Sequence, residues 1–243
     1  MNNVCTIYRR EIGAYFNSPI AYIFIVLFIA FMAFWFFIQI GFFKQSSPNV
    51  LTYYQTIPWV FAVFIPAVTM RLWAEEKRAG TIELLMTMPI ESWQVVLAKY
   101  LASFTVIALS LLVTVVVPLT GAIVTDVDSG VVFSTYVGCM VIASVYIALG
   151  AWVSTFTHNQ IVALLVAVFC SFILSFLGFP NVIKAINDVT DTSLGNFVGW
   201  FGTFYHWQEF TRGLINPVGL IYSVGLTAFF LTLNNVFVEG RKF

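Results

Sequence analysis

The densest group of ionisable side chains in the sequence runs Arg71, Glu75, Glu76, Lys77 and Arg78, then Glu83, Glu91 and Lys99, with Gly80, Thr81, Ile82, Leu85, Met86 and Pro89 set among them. These residue types suit ion pairing and docking rather than bond making. Arg71 and Glu75 are four apart and fall on one helical face. Gly80 suits a left-handed helix C-terminus. Thr81 is placed to cap a new helix whose first turn carries Glu83. Pro89 ends that helix, and Ser92 is placed to cap the next. The expected pattern over 71–92 is helix, sharp turn, short helix and second turn. The apolar set Ile82, Leu85 and Met86 on such a loop calls for a partner.

Other candidates for chemistry are few. His158 and His206 are the only histidines, and the topology below puts them on opposite faces, which disfavours a shared metal site. His206 and Glu209 share a helical turn, with Arg212 just beyond; capping or interfacial packing fits them better than catalysis. Asp126 and Asp128 read as a solvated turn. No G-x-x-x-x-G-K-[ST] occurs, so nothing here cradles a nucleotide phosphate. No G-x-S-x-G occurs either. Cys5, Cys139 and Cys170 form no C-x-x-C pair and no disulfide framework. The chain is therefore expected to be no enzyme, with no catalytic residue, metal or cofactor of its own. Zero net charge gives no sign of nucleic acid.

The elements that would position the charge cluster follow from composition. Of the 243 residues 60% are hydrophobic and 9% charged, against about 25% charged in a soluble domain. Six runs lack Asp, Glu, Lys and Arg: Ile12–Phe43, Gln45–Met70, Tyr100–Thr125, Ser129–Thr157, Asn159–Ile183 and Gly213–Val238. A spanning helix needs about 20 apolar residues. The expectation is an all-α polytopic membrane protein with six spans, near Ile20–Ile40, Ile57–Leu72, Leu97–Pro118, Val131–Val153, Ile161–Phe179 and Val218–Val238, forming a single membrane domain over 1–243. With the N-terminus inside, the inner face carries Arg9, Arg10, Arg71, Lys77, Arg78, Lys99, Arg241 and Lys242. The outer face carries Lys44, Lys184 and Arg212. This bias puts both termini in the cytoplasm. Residues 3–16 have helical amphipathic spacing with Arg9, Arg10 and Glu11 on the polar side, suiting an interfacial helix. Residues 180–216 contain Gly195, Gly199 and Gly202 and are too broken to span, so they read as short re-entrant helices on the outer face. Cys139, Ala143, Gly150 and Ser154 make a small-residue stripe in span four that suits packing either within the chain or between copies.

The string Met70-Arg71-Leu72-Trp73-Ala74-Glu75-Glu76-Lys77-Arg78-Ala79-Gly80-Thr81-Ile82-Glu83-Leu84-Leu85-Met86-Thr87-Met88-Pro89, followed by Lys99, resembles the signature of ABC-2-type transporter permeases. Arg9-Arg10-Glu11 with Asn17-Ser18-Pro19, His158-Asn159-Gln160, and Phe210-Thr211-Arg212-Gly213-Leu214-Ile215 extend the likeness over essentially the whole chain. It is nearest to the gliding-motility-associated subgroup. The resemblance implies the membrane subunit of an ATP-binding-cassette transporter in the bacterial inner membrane, dimerising with a second permease copy. A separate ABC ATPase subunit would hold ATP and Mg. The interfacial helix and the 71–92 loop would form its contact, and an accessory periplasmic or membrane protein would be compatible. The implied function is export; the Phe-rich, uncharged spans suit a lipidic or amphipathic cargo and equally suit helices that merely face lipid. The alternatives are an ATPase-coupled force-transmitting subunit of a gliding or secretion machine, a secondary transporter, and an intramembrane enzyme. The last two are disfavoured: the spans lack mid-membrane ionisable groups, and no nucleophile–base motif is present.

Overall fold

The computed structural model describes residues 2–39, 50–82, 90–116, 128–190 and 193–240. The described residues are helical, with no strand among them. In chain order the helices are α1 (Asn2–Phe16), α2 (Pro19–Phe34), α3 (Val50–Thr69), α4 (Arg71–Arg78), α5 (Ser92–Thr114), α6 (Ser129–Ser154), α7 (Gln160–Leu177), α8 (Pro180–Thr190), α9 (Leu194–Trp200), α10 (Thr203–Phe210) and α11 (Pro217–Glu239). Apolar side chains in such numbers leave the backbone no water to bond, and a helix satisfies it internally.

Five helices are long and apolar enough to cross a membrane: Thr52–Arg78, which runs α3 into α4, then α5, α6, α7 and α11. Where the first span was expected lies a shorter apolar helix, Tyr22–Ile38, below the length of the other five. Its last turn, Trp35–Gln39, is π-helical, and Ile40 lies outside the described residues. The second expected span starts earlier than its apolar core suggested, at Val50, and holds Pro58 and Pro66 internally. Met70 bonds back to the Pro66 carbonyl at 2.8 Å, so α3 passes into α4 with almost no break. Polar side chains start three helices. Asp128 accepts from Gly130 N at 2.8 Å, Asn159 from Ile161 N at 2.9 Å, and Asn216 from Val218 N at 2.9 Å. Ser92 does not cap α5: Glu91 holds that position, and the buried Ser92 hydroxyl has no partner among the described residues. Glu91 keeps its carboxylate for the Trp93 indole instead.

Helix α6 is the hub, touching α3, α4, α5, α7, α10 and α11. Its small-residue stripe packs inside the chain. Cys139, Ala143 and Ser154 are fully buried. A Cβ on Gly150 would stand 2.1 Å from the Thr69 hydroxyl, and one on Gly138 would stand 2.6 Å from the Phe210 ring. Small residues here let α3 and α10 approach the α6 backbone. By contrast α7 turns Ile161, Leu165, Phe169, Ile173 and Phe176 outward.

Candidate functional site

The site is built where α1, α4 and α5 meet. Helix α1 lies against α5, burying Ile7 and Tyr15. Tyr8 shares a hydrogen bond of 3.0 Å with Thr105, and Asn3 donates to Gln94 at 3.3 Å. Arg9 and Arg10 stay exposed. One turn along, Glu11 faces inward, as amphipathic spacing dictates.

Lys99 is the centre. It lies near the start of α5 and is 2% exposed. Its ammonium stands 2.9 Å from Glu76 Oε1 of α4 and 3.3 Å from Glu11 Oε1 of α1. The Arg10 guanidinium bridges the same two carboxylates, at 2.7 Å to Glu11 and 3.2 Å to Glu76. The Trp73 ring sits 5.2 Å from the ammonium. A buried lysine persists only when paired, because desolvating a lone charge is costly. Here four charged groups from three helices balance at one point. Burial alone would push the Glu11 carboxyl upward, but the Lys99 charge and the Arg10 hydrogen bond outweigh it and hold Glu11 below the usual carboxylate range. Burial would lower Arg10, but its carboxylate partners outweigh that and raise it.

Neighbouring side chains extend the joint. Arg71 pairs with Glu75 at 3.6 Å and donates to the Ala14 carbonyl of α1 at 3.2 Å. Its guanidinium lies 4.6 Å above the Tyr15 ring. The Tyr15 hydroxyl donates to the Val68 carbonyl at 3.1 Å and shares a 3.0 Å bond with Ser103. Burial pushes the Tyr15 phenol up to about 12, with the Ser103 bond pulling the other way. Lys77 is also buried and donates to the Thr155 carbonyl. That carbonyl closes the C-terminus of α6, where a cation is favoured.

Within the charge cluster, Glu76 pairs with Lys99 and Lys77 donates to the Thr155 carbonyl, so both have partners inside the chain. Among the described residues of this stretch, the side chains of Glu75, Arg78, Ala79 and Thr81 are exposed. Ala79 and Gly80 turn the chain sharply after α4, with Gly80 at φ +69°, a conformation that favours glycine. Thr81 does not face forward as a cap; its hydroxyl donates to the Glu76 carbonyl at 3.3 Å. Ile82 is half-buried against the core. Glu83, Leu85, Met86 and Pro89 lie outside the described residues. The central role of Lys99 was not drawn from the sequence. Its signal was there: a lysine early in a long apolar helix needs a carboxylate partner, and Glu11 and Glu76 were among the few available.

At the other end of the bundle, α8, α9 and α10 fold back between α7 and α11. The expected group His206, Glu209 and Arg212 does not converge on a site. His206 is buried, its Nε2 lying 3.0 Å from the Trp200 carbonyl, and its ring stacks on Tyr222 with centroids 4.2 Å apart. Arg212 is exposed, and its backbone bonds to the Glu209 carbonyl in the turn after α10. The Trp207 indole donates to the Tyr54 carbonyl at 3.1 Å, tying α10 to α3. Gly178 and Gly202 meet backbone to backbone: a Cβ on Gly202 would stand 1.9 Å from Gly178 N. Among the described residues no cluster of His, Cys, Asp and Glu could hold a metal.

Residues 40–233 match the family described as ABC-2 family transporter protein. The chain belongs to that family. The match spans α3 to most of α11 and so includes Glu76 and Lys99, while α1, with Arg10 and Glu11, precedes it. No curated protein matches the chain. This ABC-2 permease is thus a multi-pass membrane protein whose best-built polar site is a structural joint, the α1–α4–α5 ion network.

Proposed function

We propose that this chain is the permease subunit of an ATP-driven exporter, and that α4 with the turn at Gly80 is where a separate ABC ATPase pushes on it. Members of the family typically work with such an ATPase. The observation that carries the reading is the ion network. Helix α4 is clamped to α1 by Arg10 and to α5 by Lys99 through one carboxylate, Glu76, so force on α4 would reach a membrane helix directly. Arg78, Gly80 and Thr81 stay on the surface beyond that clamp, where a partner would find them.

In this reading the subunit pairs with a second copy in the bacterial inner membrane, with both termini cytoplasmic and α2 as a sixth span. Segment 180–216 re-enters from the outer face. An accessory periplasmic or membrane protein fits the same arrangement. A gliding-motility affiliation rests on the sequence resemblance alone. Apolar anchors at Ile82, Leu85 and Met86 would supply most of the ATPase affinity, with charges guiding approach.

The test is co-purification of the ATPase at equal membrane abundance of permease. Gly80→Val imposes a side chain at positive φ and should cut ATPase recovery at least several-fold, as should Leu85→Asp. Full recovery and function with both variants would reduce the loop to a spacer. Reporter fusions at residue 128 and after residue 243 check the orientation, the first active outside and the second silent.

A further inference from the structure

Glu76 and Lys77 are neighbours in sequence but lead to different helices. Glu76 joins the network on α1 and α5. Lys77, also buried, donates to the Thr155 carbonyl at the C-terminus of α6. A second contact backs this one. Gly150 of α6 lies against Thr69, the last residue of α3, so closely that a Cβ would stand 2.1 Å from the hydroxyl. Helices α3 and α4 form one long span, Thr52–Arg78. That span therefore holds the end of α6 at two points, Thr69 and Lys77. Two points of attachment suppress pivoting, so α6 follows α4 more closely than a single bond would require.

Towards its other end α6 is attached to α10 in a similar way. Ser134 donates to the Phe210 carbonyl at 2.7 Å, and the Thr135 hydroxyl lies 3.4 Å from the same oxygen. The Phe210 ring occupies the space that a Cβ on Gly138 would need. Thr203 shares a 2.9 Å bond with Tyr146. Thr203 and Phe210 are the first and last residues of α10, so both of its ends are bonded to α6. Between these attachments α6 is a single helix of 26 residues, about 39 Å long at about 1.5 Å per residue. No proline falls within it, so its backbone ladder is continuous.

We propose that Lys77 is a positioning residue: through α6 it ties α4 to α10 at the opposite end of the bundle. Displacement of α4 then moves α10 by way of Lys77, and moves α1 and α5 by way of Glu76. A rigid element with fixed partners at both ends is a physical carrier of such coupling. The proposal rests on the reading that an ATPase acts on α4.

The test is thiol labelling by a soluble maleimide of the permease–ATPase complex in lipid nanodiscs, which open both faces, with and without ATP and vanadate. Cys5 is exposed on α1 and reports the Glu76 route. Tyr205→Cys, at an exposed position of α10, reports the Lys77 route once Cys5→Ser and Cys170→Ser remove the accessible thiols; Cys139 is buried. Nucleotide trapping should change the labelling rate at least several-fold at both positions. Lys77→Met should abolish the change at position 205 while the change at Cys5 and the recovery of ATPase persist. Lys77→Arg, which keeps a long cation, should restore it. Ser134→Ala with Thr135→Val frees α10 from α6 and should act at position 205 as Lys77→Met does. Glu76→Gln should do the reverse, silencing Cys5 and sparing position 205. An undiminished response at position 205 in Lys77→Met would overturn the proposal and leave α7, which also touches α4 and α10, as the carrier. Failure of Lys77→Arg to restore the response would overturn it too, as would loss of both responses in either single variant. With Lys77 and Glu76 unaltered, silence at position 205 beside a responsive Cys5 would sink this proposal alone. Silence at both would sink the ATPase reading with it.

Discussion

The two ends of this bundle are held together by different chemistry. At the α1–α4–α5 end, four charged side chains from three helices meet within 3.3 Å of a partner. At the α8–α10 end, the contacts are uncharged: glycine backbones touching, an aromatic stack on His206, and indole or hydroxyl donors to carbonyls. A charge network can re-pair when one helix shifts, because long side chains reach several partners. Close backbone contact cannot, since a Cβ on Gly202 would already stand 1.9 Å from Gly178 N. The first end has side chains that can exchange partners, and the second has none.

The largest expected effect breaks the charged end. Lys99→Leu leaves Glu11 and Glu76 facing each other with only Arg10 between them. Breaking a buried pair by removing one partner costs about 3 kcal/mol at the low end of the usual range, appropriate because both carboxylates keep some solvent contact. Thermal unfolding followed by tryptophan fluorescence in detergent should show it. Lys99→Leu combined with Glu11→Gln and Glu76→Gln should recover part of the loss, and its failure to do so would mean that Lys99 acts through packing alone. The same measurement on Gly202→Ala probes the rigid end. The new methyl meets backbone that has no alternative rotamer, and overpacking of this kind costs about 1–3 kcal/mol. Unlike the first variant, no second-site charge change should rescue it. A neutral Gly202→Ala would show that α7 and α10 are free to separate.

How much of this was readable from sequence differs between the ends in the same way. The apolar runs announced the long helices, because a period and a length suffice. The Gly80 turn was announced because positive φ selects glycine. The ion network was not, because it joins residues 11, 76 and 99, and no local pattern says which carboxylate a buried lysine will take. Nor did sequence show that Glu76 and Lys77, adjacent in the charge cluster, take partners on different helices, α5 and the end of α6. The stripe through Gly150 was legible as a packing face, but its partner Thr69 only emerged with the fold. The Gly178–Gly202 contact was hidden for the same reason: each glycine is meaningful only beside the other.

Acid offers a graded way to sharpen the contrast. Glu11 is held below the usual carboxylate range in the folded chain, so it contributes stability that is present above the unfolded carboxyl value of about 4.3. That contribution is lost as pH falls from there through the folded value. Release of α1 should therefore begin below about pH 4.3, read as faster hydrogen exchange in residues 2–16. Glu11→Gln should remove this acid step. The α8–α10 end, held by neutral contacts, should not loosen in the same window. Loss of protection at both ends together would mean global unfolding rather than release of one joint.

The smallest expected effect concerns two phenols beside the rigid end. Tyr53 and Tyr54 are buried at the start of α3, and neither hydroxyl has a hydrogen-bond partner among the described residues. Their rings pack well: Tyr53 meets Phe36 edge to face at 5.1 Å, and the Tyr54 carbonyl takes the Trp207 indole. A buried unpaired hydroxyl carries a desolvation cost of about 1–3 kcal/mol, whereas the ring keeps its apolar contacts if the oxygen alone is removed. Tyr53→Phe and Tyr54→Phe should thus be neutral or stabilising, by up to about 1 kcal/mol each, the opposite sign to almost any other truncation in this core. If the arrangement seen here is one of two that the transporter visits, the same variants should favour it and slow turnover, since the hydroxyls would gain partners only when this end opens. Melting temperature and ATP-dependent transport by the reconstituted complex separate the cases. A lower melting temperature would mean that the hydroxyls are already bonded in the folded state, and the rigid end would then owe part of its hold to them.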